Sequence, residues 1–279
     1  YSAIHTCSGL LALSKVKLPS LLNTRVLCFL LLASSLSSPL RAAPLIMVAN
    51  DWCPYSCAQD DLLPGYVVEL MRDIFAEMNI AVEYRVVPWS RAIRMVEQNK
   101  ASVLLATTFK DTPRLPLSDL VGLDTSCFYA REDAGLQDPD MARIKQLRLG
   151  VIQDFSYDNG GELDTYIASA LQEEPARVLV SSGANALQSN FEKIAAGRID
   201  LLVENCNVGD FSLQRFALEG QIRKVGTIAS YRNGLLIGLN PDDPRVPQWI
   251  ERVNRRVAEK RSNGELQILL DKYGLQDWQ

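Results

Sequence analysis

The stretch Val82–Ala106, VEYRVVPWSRAIRMVEQNKASVLLA, combines the patterns of a strand, a helix and a second strand. Val82–Val87 alternates between apolar and polar residues, as a half-buried strand does. Trp89–Asn99 repeats its apolar residues at helical spacing, and the short apolar run Ser102–Ala106 predicts another strand. A strand–helix–strand unit of this length is typical of an α/β fold with largely parallel sheets.

The same unit occurs a second time, in Arg177–Val203, RVLVSSGANALQSNFEKIAAGRIDLLV. Here a strand at Arg177–Val180 precedes a helix at Ala184–Ala196, which ends at Gly197, and Ile199–Val203 forms the second strand. Two similar α/β lobes joined by crossing strands leave a cleft at the carboxyl ends of their strands. The alternative is a single doubly wound sheet, whose strand–helix units also resemble one another.

The remaining pattern extends this alternation along the chain. Further predicted strands are Leu45–Ala49, Ser126–Arg131, Leu147–Ile152, Ile222–Val225 and Leu235–Leu239, and further predicted helices are Gly65–Asn79, Glu162–Leu171, Asp210–Leu218, Val246–Arg261 and Glu265–Tyr273. We assign residues 44–129 and 232–279 to lobe 1 and residues 130–231 to lobe 2.

The first 43 residues have a different composition. They contain no Asp or Glu, and Arg25 precedes the apolar run Val26–Ala33, while the small residues Ala42 and Ala43 close the segment. This order predicts a secretory signal peptide with some upstream leader sequence. A buried N-terminal helix and a retained membrane anchor are the alternatives, but the apolar run is shorter than the roughly 20 residues that span a bilayer.

Removing this leader changes the composition that bears on function. The chain from residue 44 onward has 25 basic and 33 acidic residues, a net charge of −8 that disfavours a nucleic-acid-binding role. The single histidine, His5, leaves with the leader, so His-based catalytic triads and His-ligated metal sites are excluded. Carboxylate, Lys, Tyr or thiol chemistry remains open to an enzyme. We expect no metal and no cofactor.

Four cysteines follow the leader, in a protein expected to reach a compartment where disulfides persist. Cys53 and Cys57 lie four residues apart in a turn, which permits a local disulfide. Cys127 and Cys206 either pair in the fold or remain buried free thiols, and the sequence leaves both possibilities open.

Several motifs from Pro44 to the C-terminus resemble those of the bacterial extracellular solute-binding proteins of the polar amino acid type. These motifs are Trp52–Tyr55 (WCPY), Gly65–Leu70 (GYVVEL), the threonine-rich loop that ends at Arg114, Gly197–Asp200 (GRID) and Gly264–Gly274 (GELQILLDKYG). The resemblance implies a two-lobe type II periplasmic-binding fold, each lobe a mainly parallel sheet flanked by helices, with a two-strand hinge between them.

The resemblance also implies a set of ligand-binding residues. Arg114 would hold a ligand carboxylate, for which its planar guanidinium is suited. Thr107 and Thr108 would add donors at the carboxyl end of a strand, and Trp52 and Trp89 would stack on the ligand side chain.

On lobe 2 this sequence departs from the family pattern. Asp154 and Phe155 replace the small residues that the family has in its anion-binding loop. Ser156 is then the remaining small hydroxyl residue that could contact a ligand there. The usual carboxylate position for a ligand ammonium is the neutral Asn205, with Glu204 one residue earlier. Either Glu204 reaches the cleft, or Asn205 offers only a carbonyl oxygen.

We therefore predict a monomeric periplasmic protein that captures a small polar solute, an amino acid or a related compound, and delivers it to an inner-membrane ABC permease. An exported dehydratase-like enzyme on the same fold is one alternative. A periplasmic protein that binds a ligand and signals through a membrane receptor is another.

Overall fold

The structure, a computed structural model, describes residues 43–58, 62–228 and 233–279. The predicted leader lies outside the described residues except for Ala43, and the unit considered below runs from Pro44 to Gln279. Within the described ranges, no helix combines the length and the apolar character needed to cross a membrane.

Ten strands and eight α-helices occur within the described ranges. The strands are β1 Leu45–Ala49, β2 Val82–Val86, β3 Val103–Thr107, β4 Gly122–Asp124, β5 Ser126–Arg131, β6 Leu149–Ile152, β7 Val178–Ser181, β8 Leu201–Asn205, β9 Ile222–Thr227 and β10 Asn233–Leu239. The helices are α1 Tyr66–Glu77, α2 Trp89–Glu97, α3 Met141–Ile144, α4 Glu162–Glu173, α5 Ala186–Ala195, α6 Cys206–Arg215, α7 Val246–Ser262 and α8 Glu265–Lys272.

The strands form two five-stranded sheets, one in each lobe. The order is β2-β1-β3-β10-β4 in lobe 1 and β7-β6-β8-β5-β9 in lobe 2. In lobe 1, β1 runs parallel to β2 and β3, whereas β10 runs antiparallel to β3 and β4. Lobe 2 repeats this scheme, with β6 parallel to its neighbours and β5 antiparallel to its own. The two-lobe architecture is confirmed with mixed sheets, and the single doubly wound sheet is wrong.

The chain passes from lobe 1 to lobe 2 through one residue, Thr125, which separates β4 from β5. All of β5 pairs within the lobe 2 sheet, so the boundary expected between residues 129 and 130 falls inside this strand. The return boundary, expected between residues 231 and 232, lies outside the described residues.

In each of the two strand–helix–strand units predicted from the sequence, the helix packs on the sheet of its own lobe. Helix α2 buries Ala92 and Val96 against the lobe 1 sheet, and α5 buries Phe191 and Ile194 against the lobe 2 sheet. Each helix is followed by a residue in the left-handed conformation, Asn99 with φ 57° and Gly197 with φ 66° in lobes 1 and 2. This conformation is a common way to end a helix.

The segment between β8 and α6 differs from its prediction. Strand β8 continues to Asn205 instead of ending at Val203, and α6 begins at Cys206 rather than at Asp210. The side-chain oxygen of Asn205 accepts a hydrogen bond from the Val208 N–H at 3.1 Å, which caps the helix and fixes its earlier start. This junction carries both residues predicted to meet a ligand ammonium.

Candidate functional site

A small cavity lies between the two lobes, where loops follow the carboxyl ends of β1, β2, β3 and β6. Its volume is about 20 Å³, which is room for one water molecule. The polar and aromatic side chains around it come from lobe 1, with Asn50, Trp52, Trp89, Thr108, Asp111 and Asp124, and from lobe 2, with Phe155 and Ser156. Four of the predicted site residues, Trp52, Trp89, Thr108 and Ser156, therefore meet at one place.

Three aromatic rings surround this cavity. The Phe155 ring of lobe 2 stands edge-to-face against Trp52, with centroids 6.3 Å apart, and against Trp89, with centroids 5.8 Å apart. Trp52 also stacks on Tyr55 with a centroid distance of 5.0 Å. The indole Nε1 of Trp89 is buried and makes no hydrogen bond within the described residues. Phe155 thus occupies the space between the two tryptophans that were expected to sandwich a ligand.

Trp52 joins the lobes through a buried hydrogen bond. Its indole Nε1 donates to Glu204 Oε1 at 2.9 Å, and the backbone N–H of Asn205 donates to the same oxygen at 2.8 Å. Glu204 is 1% exposed, and burial raises the pKa of its carboxyl to about 8. Its Oε2 atom makes no hydrogen bond within the part of the chain that the structure describes. Glu204 therefore reaches the lobe interface from within β8, behind the Trp52 ring, and does not line the cavity.

The side chain of Asn205 contacts a different carboxylate, that of Asp124, and does not contribute to the cavity lining. Its Nδ2 donates to Asp124 Oδ1 at 2.8 Å across the two lobes. Asp124 is buried at the end of β4, and this burial raises the pKa of its carboxyl to about 6. The Asn205 amide thereby uses both of its ends, one as the cap of α6 and one as a donor to Asp124.

Asp111 supplies a third carboxyl at the lobe interface. The residue is partly exposed, but its carboxyl is enclosed, and this desolvation raises its pKa to about 7. The Asp124 and Asp164 charges raise it further, whereas hydrogen bonds from the Thr108 side chain and the Ser156 backbone oppose the shift. The Ser156 hydroxyl donates to Asp164 Oδ2 at 2.6 Å.

Contacts on the rim also connect the lobes. Arg215 Nη1 lies 3.0 Å from Asp51 Oδ1, and Asn207 Nδ2 donates to Tyr55 Oη at 2.8 Å. Together with the Trp52 and Asn205 hydrogen bonds, these contacts hold the lobes in a closed arrangement.

Two further predicted site residues, Arg114 and Thr107, lie outside the cavity lining, as Glu204 and Asn205 do. Arg114 is exposed and is not among the residues that line it. Thr107 is buried, and its Oγ1 lies 3.0 Å from Thr112 Oγ1 within its own loop. The threonine-rich loop therefore presents Thr108 and Asp111 to the cavity rather than Thr107 and Arg114.

Two disulfides support the loops beside the cavity. The local Cys53–Cys57 bond, predicted from the sequence, closes the turn that carries Trp52 and Tyr55. The pair that the sequence left open, Cys127 and Cys206, is also bonded and joins β5 to the start of α6. Both disulfides therefore lie next to residues that connect the lobes.

The sequence interpretation missed Asp111, Asp124 and Phe155 as cavity residues. Asp111 lies within the loop 107–117 that the sequence singled out, so proximity to Thr108 was an available signal. Asp124 ends a three-residue strand, too short for its periodicity to be recognised. Phe155 stands where the family pattern has a small residue, and this substitution was the one feature of the sequence that pointed to a role for Phe155 at the cavity.

These groups suit noncovalent recognition of a small molecule. Carboxyls, hydroxyls and aromatic faces surround the cavity, and the described residues contain no group of three or more His, Cys, Asp or Glu arranged to hold a metal ion. A separate cavity of about 440 Å³ lies beside the lobe connection, where Thr125, Tyr66 and Trp278 contribute to its lining.

The fold and this interlobe cavity define the class of protein. The family model for bacterial extracellular solute-binding proteins, family 3, matches residues 45–276, and the chain belongs to this family. No curated protein shows a significant sequence match.

Solved structures with the same fold have low sequence identity to this chain. A histidine kinase sensor domain with similarity to periplasmic binding proteins superimposes with a TM-score of 0.69 at 17% identity, covering 83% of this chain and 96% of its own. The substrate-binding protein of an amino acid ABC transporter gives 0.65 at 15% identity, with coverages of 83% and 99%. A structure from work on glutathione import through the cystine ABC importer of Streptococcus mutans gives 0.68 at 15% identity, with coverages of 84% and 97%.

Proposed function

We propose that the protein captures a small polar solute, an amino acid or a related compound, between its two lobes and delivers it to an ABC permease. The observation that carries this proposal is the interlobe cavity, to which both lobes contribute side chains and beside which Trp52 of lobe 1 and Glu204 of lobe 2 are hydrogen-bonded. A site divided between two lobes binds its solute by closing around it. Because the cavity has room for only one water molecule in this closed arrangement, binding requires the lobes to separate and the Phe155 ring to move away from Trp52 and Trp89. Trp52, Trp89, Thr108 and Ser156 are the predicted residues that we retain as ligand contacts.

Membership of a solute-binding family supports binding rather than catalysis. The chain beyond the leader contains no histidine, and the buried Glu204 carboxyl lies behind Trp52 rather than in the cavity lining. The dehydratase alternative requires a general acid in contact with the substrate. Asp154 is exposed, so the general acid would have to be Asp111 or Asp124 of the cavity lining, and recovery of the solute chemically unchanged would count against that alternative.

We further propose export to the periplasm through cleavage of the leader near Ala43, with the protein acting as a monomer. The family name and the substrate-binding protein of an amino acid ABC transporter among the similar structures support transport. The similar sensor domain of a histidine kinase favours sensing as a second candidate. Deletion of an adjacent permease gene separates the two, because solute uptake then fails in a transport system but persists in a sensing system.

A thermal-shift screen tests the binding proposal. The purified protein is unfolded in urea without reductant, refolded to remove any copurified solute, and melted with amino acids, polyamines and small organic acids. Bound solute stabilises the folded state by mass action, so we expect at least one solute to raise the Tm. The same solute should be recovered chemically unchanged.

Two variants of Phe155 test whether the solute binds at the interlobe cavity. Phe155→Ala removes the ring and its volume, whereas the matched variant Phe155→Leu removes the ring but keeps much of the volume. We expect the solute to raise the Tm of both variants less than it raises the Tm of the wild-type protein, and least for Phe155→Ala. No rise in Tm with any solute would contradict the proposed function, and conversion of a solute into a product would favour the enzyme.

A further inference from the structure

We propose that the solute is an organic cation that carries no carboxylate group, held through an ammonium or guanidinium group by the aromatic rings and carboxylates of the interlobe cavity. This inference rests on the proposed function and narrows its solute to amines and guanidines. It departs from the amino acid with a carboxylate that the sequence motifs implied.

The cavity carries acidic side chains and no basic ones in the part of its lining that the structure describes. Asp111 and Asp124 contribute to its lining, and among the described residues that line it there is no lysine or arginine. Glu204 adds a third carboxyl directly behind Trp52. The basic side chains nearby have other positions: Lys110 lines the adjoining groove, and Arg215 is paired with Asp51.

Closure of the lobes places these carboxyls in surroundings that disfavour their charged forms. Desolvation raises the pKa values of Asp111 and Asp124, and their mutual charge adds to the shift at Asp111. Buried charges are stable in a protein when they are paired. A cationic group in the cavity would provide that pairing, whereas a neutral or anionic solute would leave the carboxyls uncompensated.

The aromatic rings supply a second, independent attraction for a cation. Trp52, Trp89 and Phe155 approach the cavity from both lobes, and the edge-to-face contacts of Phe155 set the rings at steep angles to one another. Aromatic faces attract ammonium and guanidinium groups, and the attraction is greatest when water is excluded. Rings together with carboxylates are therefore suited to the same charged group.

The cavity offers little to a solute carboxylate. Arg114, the residue expected to bind it, is exposed and outside the lining. The Ser156 hydroxyl donates to Asp164, and the described lining residues also include two neutral side-chain N–H donors, the Asn50 amide and the unpartnered Trp89 Nε1. Neutral donors suit a hydroxyl or carbonyl oxygen, whereas a carboxylate would meet Asp111 and Asp124 as like charges.

Matched pairs of probes test this inference, because the members of each pair differ by one carboxylate. Isothermal titration calorimetry compares agmatine with arginine, cadaverine with lysine, and putrescine with ornithine, with succinate as an anionic probe. We expect one amine to bind at least about tenfold more tightly than its amino acid partner. Asp124→Asn should weaken this binding by about tenfold or more, and Glu173→Gln, at an exposed position on α4, should leave it unchanged.

The outcomes separate this inference from the proposed function. Tighter binding of an amino acid than of its amine, or binding of succinate, would overturn the cation inference and support solute binding. Unchanged amine binding in Asp124→Asn would also overturn it. Absence of binding by all three amines would overturn the inference, and the proposed function would fail with it only if the thermal-shift screen also gave no stabilising solute.

Discussion

The indole N–H of Trp52 in lobe 1 donates to the buried carboxyl of Glu204 in lobe 2 at 2.9 Å, joining residues 152 positions apart in the chain. The contact lies directly behind the interlobe cavity, because the same Trp52 ring lines it. Because Trp52 both lines the cavity and contacts the opposite lobe, we propose that occupancy of the cavity is coupled to closure.

Replacement of Trp52 by phenylalanine removes the donor while keeping an aromatic ring. We expect Trp52→Phe to lower the free energy of unfolding by about 1–3 kcal/mol, because Glu204 remains buried with one donor fewer. A double-mutant cycle with Glu204→Leu, which removes the acceptor oxygen, followed by urea denaturation, should give a coupling energy of about 1 kcal/mol.

Trp278→Phe is the matched control for this change, because its indole N–H is buried without a hydrogen-bond partner among the described residues. It should show no coupling with Glu204→Leu. Zero coupling between Trp52 and Glu204 would contradict the interlobe hydrogen bond.

The unliganded protein should be less stable at pH 8 than at pH 5. In the folded state the pKa values are raised to about 8 at Glu204, about 7 at Asp111 and about 6 at Asp124. The folded protein therefore holds more protons than the unfolded chain, and the stability present below the unfolded values of about 4 is lost as pH rises through the folded values.

Urea denaturation at the two pH values measures this effect, for which we expect a difference of at least about 2 kcal/mol. Glu204→Gln removes the group with the largest shift and should reduce the difference. Equal stability at both pH values, or greater stability at pH 8, would show that the carboxyls are not enclosed.

The two disulfides should contribute unequally to stability. Cys127–Cys206 closes a loop with a sequence separation of 79, whereas Cys53–Cys57 closes one of only 4. The chain-entropy model gives about 4.5 kcal/mol for the long loop and about 2 kcal/mol for the short one. Paired Cys→Ser variants, compared by urea denaturation, test the order. A larger loss from the short loop would indicate that native contacts, rather than loop entropy, determine the difference.

Arg114→Ala should not abolish solute binding, although the sequence motifs implied that it would. The Arg114 side chain is exposed and outside the cavity lining, so its removal leaves the rings and carboxyls of the cavity in place. Calorimetric titration of the variant with the best-bound solute should give a Kd within about threefold of the wild-type value, a difference of less than 1 kcal/mol. A loss of about a hundredfold would mean that Arg114 contacts the solute.

Local patterns in the sequence predicted the main features of the fold. The units around α2 and α5 were recognisable because each helix carries one apolar face between two short apolar strands. The motif at Trp52–Tyr55 also singled out Trp52, which contributes to the cavity lining. Helices and strands of this kind are determined mainly by residues close together in the sequence, and the spacing of apolar residues reveals them directly.

The polar arrangement of the site depends on contacts that no local pattern records. The sequence left open whether Glu204 or Asn205 meets the cleft, and it did not reveal that Trp52 and Asp124 of the other lobe bind them. The position of Arg114 was inferred from a family motif, and the loop conformation that exposes it is set by contacts such as Thr107 with Thr112. Long-range partners of buried polar groups therefore required the structure.

Hydrogen–deuterium exchange tests the central claim, that a solute binds between the lobes, most directly. Exchange of the purified protein is compared with and without the solute that gives the largest rise in Tm. We predict coincident protection of Thr107–Thr112 in lobe 1 and Gln153–Tyr157 in lobe 2, because both segments contribute to the cavity lining. Protection confined to one lobe, or to the C-terminal segment around Trp278 at the separate cavity, would contradict the account.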